Sequence, residues 1–203
     1  MGFYSRHILP RIIDRGMRND VMEEQRVHAA PLASGRVLEI GMGSGLNIPH
    51  YTAQVEHLFG LEPSEHLRDK AAEIADEAAF PVEFVAAGAE SIPLDAASVD
   101  SVVSSWTMCS IPDIESALQE IRRVLKPGGK FIFIEHGRAP DPSVAKWQDR
   151  LAPVFGILAG CSLNKEMDTL ISAAGFSLPQ LDKNYLDGPR IISYHYIGQA
   201  QPL

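Results

Sequence analysis

The apolar positions change period several times along the chain, and each change marks an element. Between residues 4 and 28, Ile8, Ile12, Ile13 and Met17 fall close to one helical face, while Pro10 and Gly16 divide the stretch into two or three short helices. The pattern then becomes short continuous apolar runs separated by helical segments. RVLEI (36–40) and VEHLFGLE (55–62) read as buried strands. Ser64 is placed to cap an alanine-rich helix reaching residue 79, Pro81 ends it, and VEFVAA (82–87) follows as a third strand. VDSVVSSW (99–106) is a fourth. Asp113 can cap a helix whose Ile114, Ala117, Leu118, Ile121 and Leu125 form an apolar face; KPGGK stops it, and KFIFIEH (130–136) is a fifth strand.

A helical region follows over 143–158 and a second over 165–174, with Gly175 suited to end it. LPQLDKN and RIISYHYI flank a turn at Asp187, Gly188 and Pro189 and read as a closing antiparallel pair. Strands alternating with helices mean a doubly wound α/β sheet. The expected organisation is one domain over 1–203: an N-terminal helical cap (1–30), a cofactor-binding core (36–137), then acceptor-side helices and the closing hairpin (138–203).

In such a sheet the ligand sits beyond the carboxyl ends of the strands, which is where Gly41, Gly43 and Gly45 lie. Leu46 and Asn47 stand where a phosphate loop needs Lys and Ser or Thr. Leu46 also replaces the third glycine of the dinucleotide pattern, and Pro49 limits the helix that follows. Two acids narrow the ligand further. Glu39 precedes the loop, within reach of a ligand ammonium group; Glu62 ends the second strand, about 20 residues beyond Gly41, where a carboxylate can accept from both ribose hydroxyls. A dinucleotide and an adenosyl ligand share that ribose.

Composition removes other classes. The net charge of −8 and the lack of a basic run argue against nucleic-acid binding. Cys109 and Cys161 form no C-x-x-C pair and the seven histidines are scattered, so two reduced thiols and no metal are expected. The N-terminus lacks a signal-peptide pattern, and LAPVFGILAGC (151–161) is too short for a membrane span. A cytoplasmic protein is expected; peripheral membrane contact stays compatible with the composition, and the oligomeric state is open.

The segments VLEIGMGSGLN, GLEPS, AAGAESIPLDAASVDSVVSSWTMCS and EIRRVLKPGGKFIFIEHG, together spanning about 36–137, resemble class I S-adenosylmethionine-dependent methyltransferases. FYSRHILPRIID and the stretch from EHGRAPDPS to SAAGF are similar to a bacterial group related to the animal methyltransferase-like 7 proteins, which are thiol methyltransferases. A wider circle includes quinone C-methyltransferases and phospholipid N-methyltransferases. The resemblance implies a Rossmann-like, three-layer α/β/α fold with a seven-stranded sheet, its last strand antiparallel, and extra N-terminal helices. It implies S-adenosylmethionine as cofactor, with S-adenosylhomocysteine as product. Glu39, Gly41, Gly43 and Gly45 would hold the methionine portion and Glu62 the ribose. Pro63 and Ser64 would lie beside the adenine, Ala89 and Glu90 at its edge, and Ser105 and Trp106 near the methyl group. Gly88 departs from the Asp that many relatives carry before the Ala-Glu pair.

The acceptor would be a small molecule, a thiol ahead of a lipophilic quinone or a phospholipid amine. His136 is the candidate base, with a structural histidine as its equal alternative. Tyr4 and His7 are lid candidates. Trp147, Leu151 and Phe155, at helical spacing, could line an apolar acceptor pocket or simply pack as core, with Asn164 and Lys165 as its polar contacts. Cys109 reads as a buried or lining thiol. An adenosyl- or NAD-binding protein or oxidoreductase without methyl transfer is the alternative of a different class.

Overall fold

The structure is a computed structural model and describes residues 9–203. Tyr4 and His7 lie outside the described residues. Two short helices open it, α1 (Leu9–Gly16) and α2 (Asp20–Ala29), separated where Gly16 ends one and Asn19 caps the next by accepting from the Met22 amide. The strands are β1 (Gly35–Ile40), β2 (Val55–Leu61), β3 (Val82–Val85), β4 (Val99–Ser105), β5 (Leu125–His136), β6 (Phe176–Tyr185) and β7 (Tyr194–Pro202). The remaining helices are α3 (Glu65–Ala75), α4 (Ile114–Val124), α5 (Pro142–Leu158) and α6 (Met167–Ala173).

All seven strands form one sheet in the order β3-β2-β1-β4-β5-β7-β6. The pairs from β3 through β5 are parallel, while β7 runs antiparallel to both β5 and β6. This is the doubly wound sheet expected from the alternating pattern. The strand order turns back between β1 and β4, which fixes the ligand crevice at their carboxyl ends. One face carries Leu38, Ile40, Phe131 and Phe133 against α4 and α6; the other carries Val37, Leu58, Ile132 and Ile134 against α2 and α3.

Several boundaries differ from the sequence reading. β3 stops at Val85 and α3 at Ala75, before the residues predicted to extend them. The 126–130 turn is absorbed into β5: Leu125 pairs with Val99 and Lys130 with Ser101, so the chain bulges opposite Asp100, which Lys126 bridges at 2.8 Å. The closing strand begins at Tyr194, not 190, because the turn extends to Ile192, whose amide bonds the Pro189 carbonyl at 3.0 Å.

α1 is fastened to the cofactor side of the sheet by one carboxylate. Asp14, only 8% exposed, accepts from the Ser44 hydroxyl in the glycine loop, from Arg18 at 3.0 Å, and from Lys70 of α3 at 2.6 Å. Burial alone would raise its pKa, but the donors outweigh it and hold the group at about 2. The folded-state value is depressed, so this contribution is complete above the unfolded value near 3.8 and is lost as pH falls through about 2. Asp14→Ala should therefore lower stability by about 1–3 kcal/mol at pH 7. The deficit should shrink when urea melts are repeated towards pH 2, and a deficit that does not depend on pH would contradict the clasp.

Candidate active site

Three segments build the crevice: the turn after β1, the end of β2, and the turn after β4. Gly41, Gly43 and Gly45 all have positive φ (62°, 60° and 78°), a region L side chains enter at a cost of about 1–2 kcal/mol. Their surroundings differ. A Cβ at Gly41 would run into the Thr107 side chain, and one at Gly45 would press on Ala71 of α3 at 3.2 Å. At Gly43 a Cβ would meet only the Gly41 carbonyl at 3.9 Å, so the loop faces open space there.

Glu62, 6% exposed, follows β2. Its two oxygens accept from the Gly43 amide at 3.1 Å and the Ser64 amide at 2.8 Å. Burial raises its pKa, opposed by those two amides. The carboxylate is thus oriented by backbone and keeps lone pairs for further donors. Ser64 occupies the N-cap position of α3 without a capping side-chain bond, and Pro63 is exposed. Ala89 is buried and Glu90 half-buried, in the turn beyond β3.

Glu39 is tied to the glycine loop itself. It is 3% exposed, and each carboxylate oxygen accepts one hydrogen bond, from Asn47 at 2.8 Å and from Tyr51 at 2.9 Å. The Asn47 amide also reaches Ser105 at 3.1 Å. Burial pushes the Glu39 pKa to about 7 against the pull of these two donors. Within the described residues Glu39 braces the glycine loop against β1 and β4. Sequence reasoning missed Asn47, Tyr51 and Thr107, whose spacing carries no motif.

Trp106 leaves β4 with φ of 52°, a strained value for a bulky side chain. Its amide bonds the Ile134 carbonyl at 2.7 Å and its indole donates to His195 Nε2 at 2.9 Å. His195 in turn meets the Ser193 carbonyl through Nδ1 at 2.8 Å, and burial lowers its pKa to about 4, so it stays a neutral acceptor.

Beyond Trp106 the chain gathers Cys109, His136 and Cys161, with their ligand-type atoms all within 4.8 Å of one another. His136 Nε2 lies 2.7 Å from the Cys161 sulfur. A hydrogen bond from Cys161, reinforced by His136, drives the Cys109 thiol well down, while Cys161 is pushed up. Cys109 lies in the turn after β4, His136 at the end of β5 and Cys161 after α5, so spacing along the chain could not show the cluster. Lys165 Nζ reaches the Met108 and Ile111 carbonyls at 3.0 and 2.8 Å, and Glu135 accepts from the Thr107 and Met108 amides at 3.0 Å.

The expected apolar box on α5 is only partly there. Gln148 points inward, bonding the Ala139 amide and the Gly137 carbonyl at 2.9 Å. One residue earlier is a turn of about 100°, so Trp147 is 55% exposed, with Arg150 over its ring. Leu151 and Phe155 are half-buried; Asn164 is spent on Ser162 and Asp149 at 3.0 Å. A cavity of about 550 Å³ opens between α2 and α3 and shares none of the residues expected to hold the cofactor.

Residues 38–133 match the family described as a methyltransferase domain. With that match, the sheet order and the crevice, the chain belongs to the class I S-adenosylmethionine-dependent methyltransferases. Within that class it is related to the human thiol S-methyltransferases. It is 29% identical to TMT1A over 90% of this chain and 77% of that protein, and 34% identical to TMT1B over 74% and 64%. Demethylmenaquinone methyltransferase of Clavibacter sepedonicus matches over a shorter part, 59% of this chain. Among solved structures, a methyltransferase seen with the Haloferax volcanii Trm112 activator has the same fold, with a TM-score of 0.72 at 20% identity over 94% of both chains. Among the described residues no helix is long and apolar enough to cross a membrane.

Gly41→Ala should cost about 2 kcal/mol or more, combining left-handed strain with the Thr107 collision. Adding Thr107→Ala should return the collision part and leave the strain. Thermal melts of the two single variants and the double variant check this, and strictly additive losses would remove Thr107 from the account.

Proposed function

We propose that the chain transfers a methyl group from S-adenosylmethionine to a small-molecule thiol. The observation that carries the cofactor reading is the Glu62 carboxylate, fixed by the Gly43 and Ser64 amides beside an open stretch of glycine loop. That arrangement fits a ribose whose two hydroxyls donate to Glu62, with the methionine portion along Gly41 to Gly45. Pro63, Ser64, Ala89 and Glu90 would border the adenine, and Ser105 and Trp106 the methyl group.

The cofactor supplies an activated methyl on a sulfonium, so the protein's work is alignment and exclusion of water. Trp106 is held in place by β5 through its amide and by β7 through His195, a rigid floor for an in-line approach. Two things support a thiol over a quinone or a phospholipid amine. One is the kinship with TMT1A and TMT1B. The other is the character of the groups beyond Trp106: the Lys165 ammonium and the His136 imidazole are suited to an anionic sulfur nucleophile. A thiolate needs no base at the moment of transfer.

Calorimetry should show binding of S-adenosylhomocysteine and none of NAD; the reverse would point to an oxidoreductase. Glu62→Ala should weaken that binding more than about tenfold, since charge-assisted hydrogen bonds contribute about 1.5–3 kcal/mol. Incubation with methyl-labelled cofactor and a panel of thiols, amines and quinones should label the thiols. Label only in quinones or lipids would refute the thiol reading and leave the cofactor reading standing.

A further inference from the structure

We infer that Cys109, His136 and Cys161 form a mononuclear zinc site of the Cys₂His type, whose open fourth position takes the acceptor thiol. The inference rests on the thiol reading for its last clause only. Two sulfurs and one imidazole nitrogen converge within 4.8 Å at the carboxyl edge of the sheet, immediately past Trp106. Zinc bonds of about 2.3 Å to sulfur and about 2.0–2.1 Å to nitrogen put tetrahedral ligand atoms roughly 3.5–3.8 Å apart. The 2.7 Å between Cys161 and His136 is below that spacing, and 4.8 Å is the outer limit of the set. Forming the tetrahedron asks these atoms to shift by about 1 Å.

The backbone is held in ways that suit a metal. The Cys109 carbonyl accepts from the Ser162 amide at 3.0 Å, which ties the two cysteine-bearing loops together. The Glu135 carboxylate gathers the amides of Thr107 and Met108, next to Cys109, and His136 follows it on β5. Charges balance as well. Two thiolates neutralise a zinc dication. Cys109 is 3% exposed and His136 is enclosed with it, while Cys161 is only partly buried, so the sulfur of Cys161 marks the side from which a fourth ligand would come. A site with three protein ligands is the arrangement zinc uses when substrate completes the sphere.

The transfer that follows is balanced. The acceptor R–SH loses its proton to solvent as its sulfur joins the metal. The bound thiolate then supplies the electron pair for the new S–CH₃ bond as the sulfonium S–CH₃ bond breaks. S-adenosylhomocysteine and a neutral thioether result, and the thioether, a weaker ligand than thiolate, leaves. No oxidant or reductant is consumed.

The test titrates reduced full-length protein with Co(II) and with Zn(II). One equivalent of Co(II) should give thiolate-to-metal charge-transfer absorption in the near ultraviolet with tetrahedral visible bands, and Zn(II) should displace it. Cys109→Ser and Cys161→Ser should each weaken binding by more than the 10–100-fold expected for losing an outer-shell partner. Both should still bind S-adenosylhomocysteine normally, which shows that they fold. Adding 2-mercaptoethanol to the Co(II) form should shift the bands. Wild type and serine variants with equal metal affinity would overturn the site, as would a Cys109–Cys161 disulfide forming at the same rate with and without Zn(II). Tight metal binding whose bands ignore the thiol would overturn the substrate position alone. Thiol methylation undiminished by a chelator that strips the protein of metal would overturn the metal's role while upholding the proposed function.

Discussion

The Glu39 carboxylate is the tie on which the crevice depends. It lies inside the sheet's ligand end, takes a hydrogen bond from each of Asn47 and Tyr51, and through Asn47 reaches Ser105. The loop carrying three left-handed glycines is in this way pinned to the strands on both sides of the point where the sheet order reverses. A buried carboxylate with both oxygens satisfied rigidifies its surroundings; with one donor removed it becomes a costly unpaired group. The other site elements are fixed relative to this tie: Glu62 through the Gly43 amide, Thr107 through its packing on Gly41, α1 through Ser44.

The sheet and its helices were legible because parallel strands covered on both faces leave continuous apolar runs, and these punctuate the chain plainly at RVLEI and KFIFIEH. The glycine turn and the acid after β2 were legible as a pattern because a tight left-handed turn constrains residue type at fixed spacing, and the structure places Glu62 on the Gly43 amide. Glu39 stands out in the sequence as an acid on a buried strand, but its partners do not: Asn47 and Tyr51 matter through where their tips arrive, which the spacing does not encode. The same is true of the sulfur cluster. Cys109, His136 and Cys161 are 27 and 25 residues apart and meet only because the turns after β4 and β5 and the segment after α5 converge at one edge of the sheet. At Trp147 the helical spacing is right, but Gln148 sets the rotation of α5 and leaves Trp147 outside the core.

Polar chemistry is distributed unevenly around the crevice. Around the glycine loop it consists of backbone amides and carboxylates. Past Trp106 it turns to sulfur and imidazole, with an ammonium whose donors are given to two carbonyls. The boundary between the two chemistries is a single strained residue, Trp106.

β7 has a consequence for how the protein is made. It is the last strand in the chain, yet it lies between β5 and β6 and supplies the His195 that fixes the Trp106 indole. During synthesis the glycine loop, Glu62 and β4 leave the ribosome well before it. The Trp106 indole therefore gains its acceptor only when the closing hairpin slots into the sheet. That bond joins residues 89 apart along the chain, a long-range pairing of the kind whose loop closure slows folding.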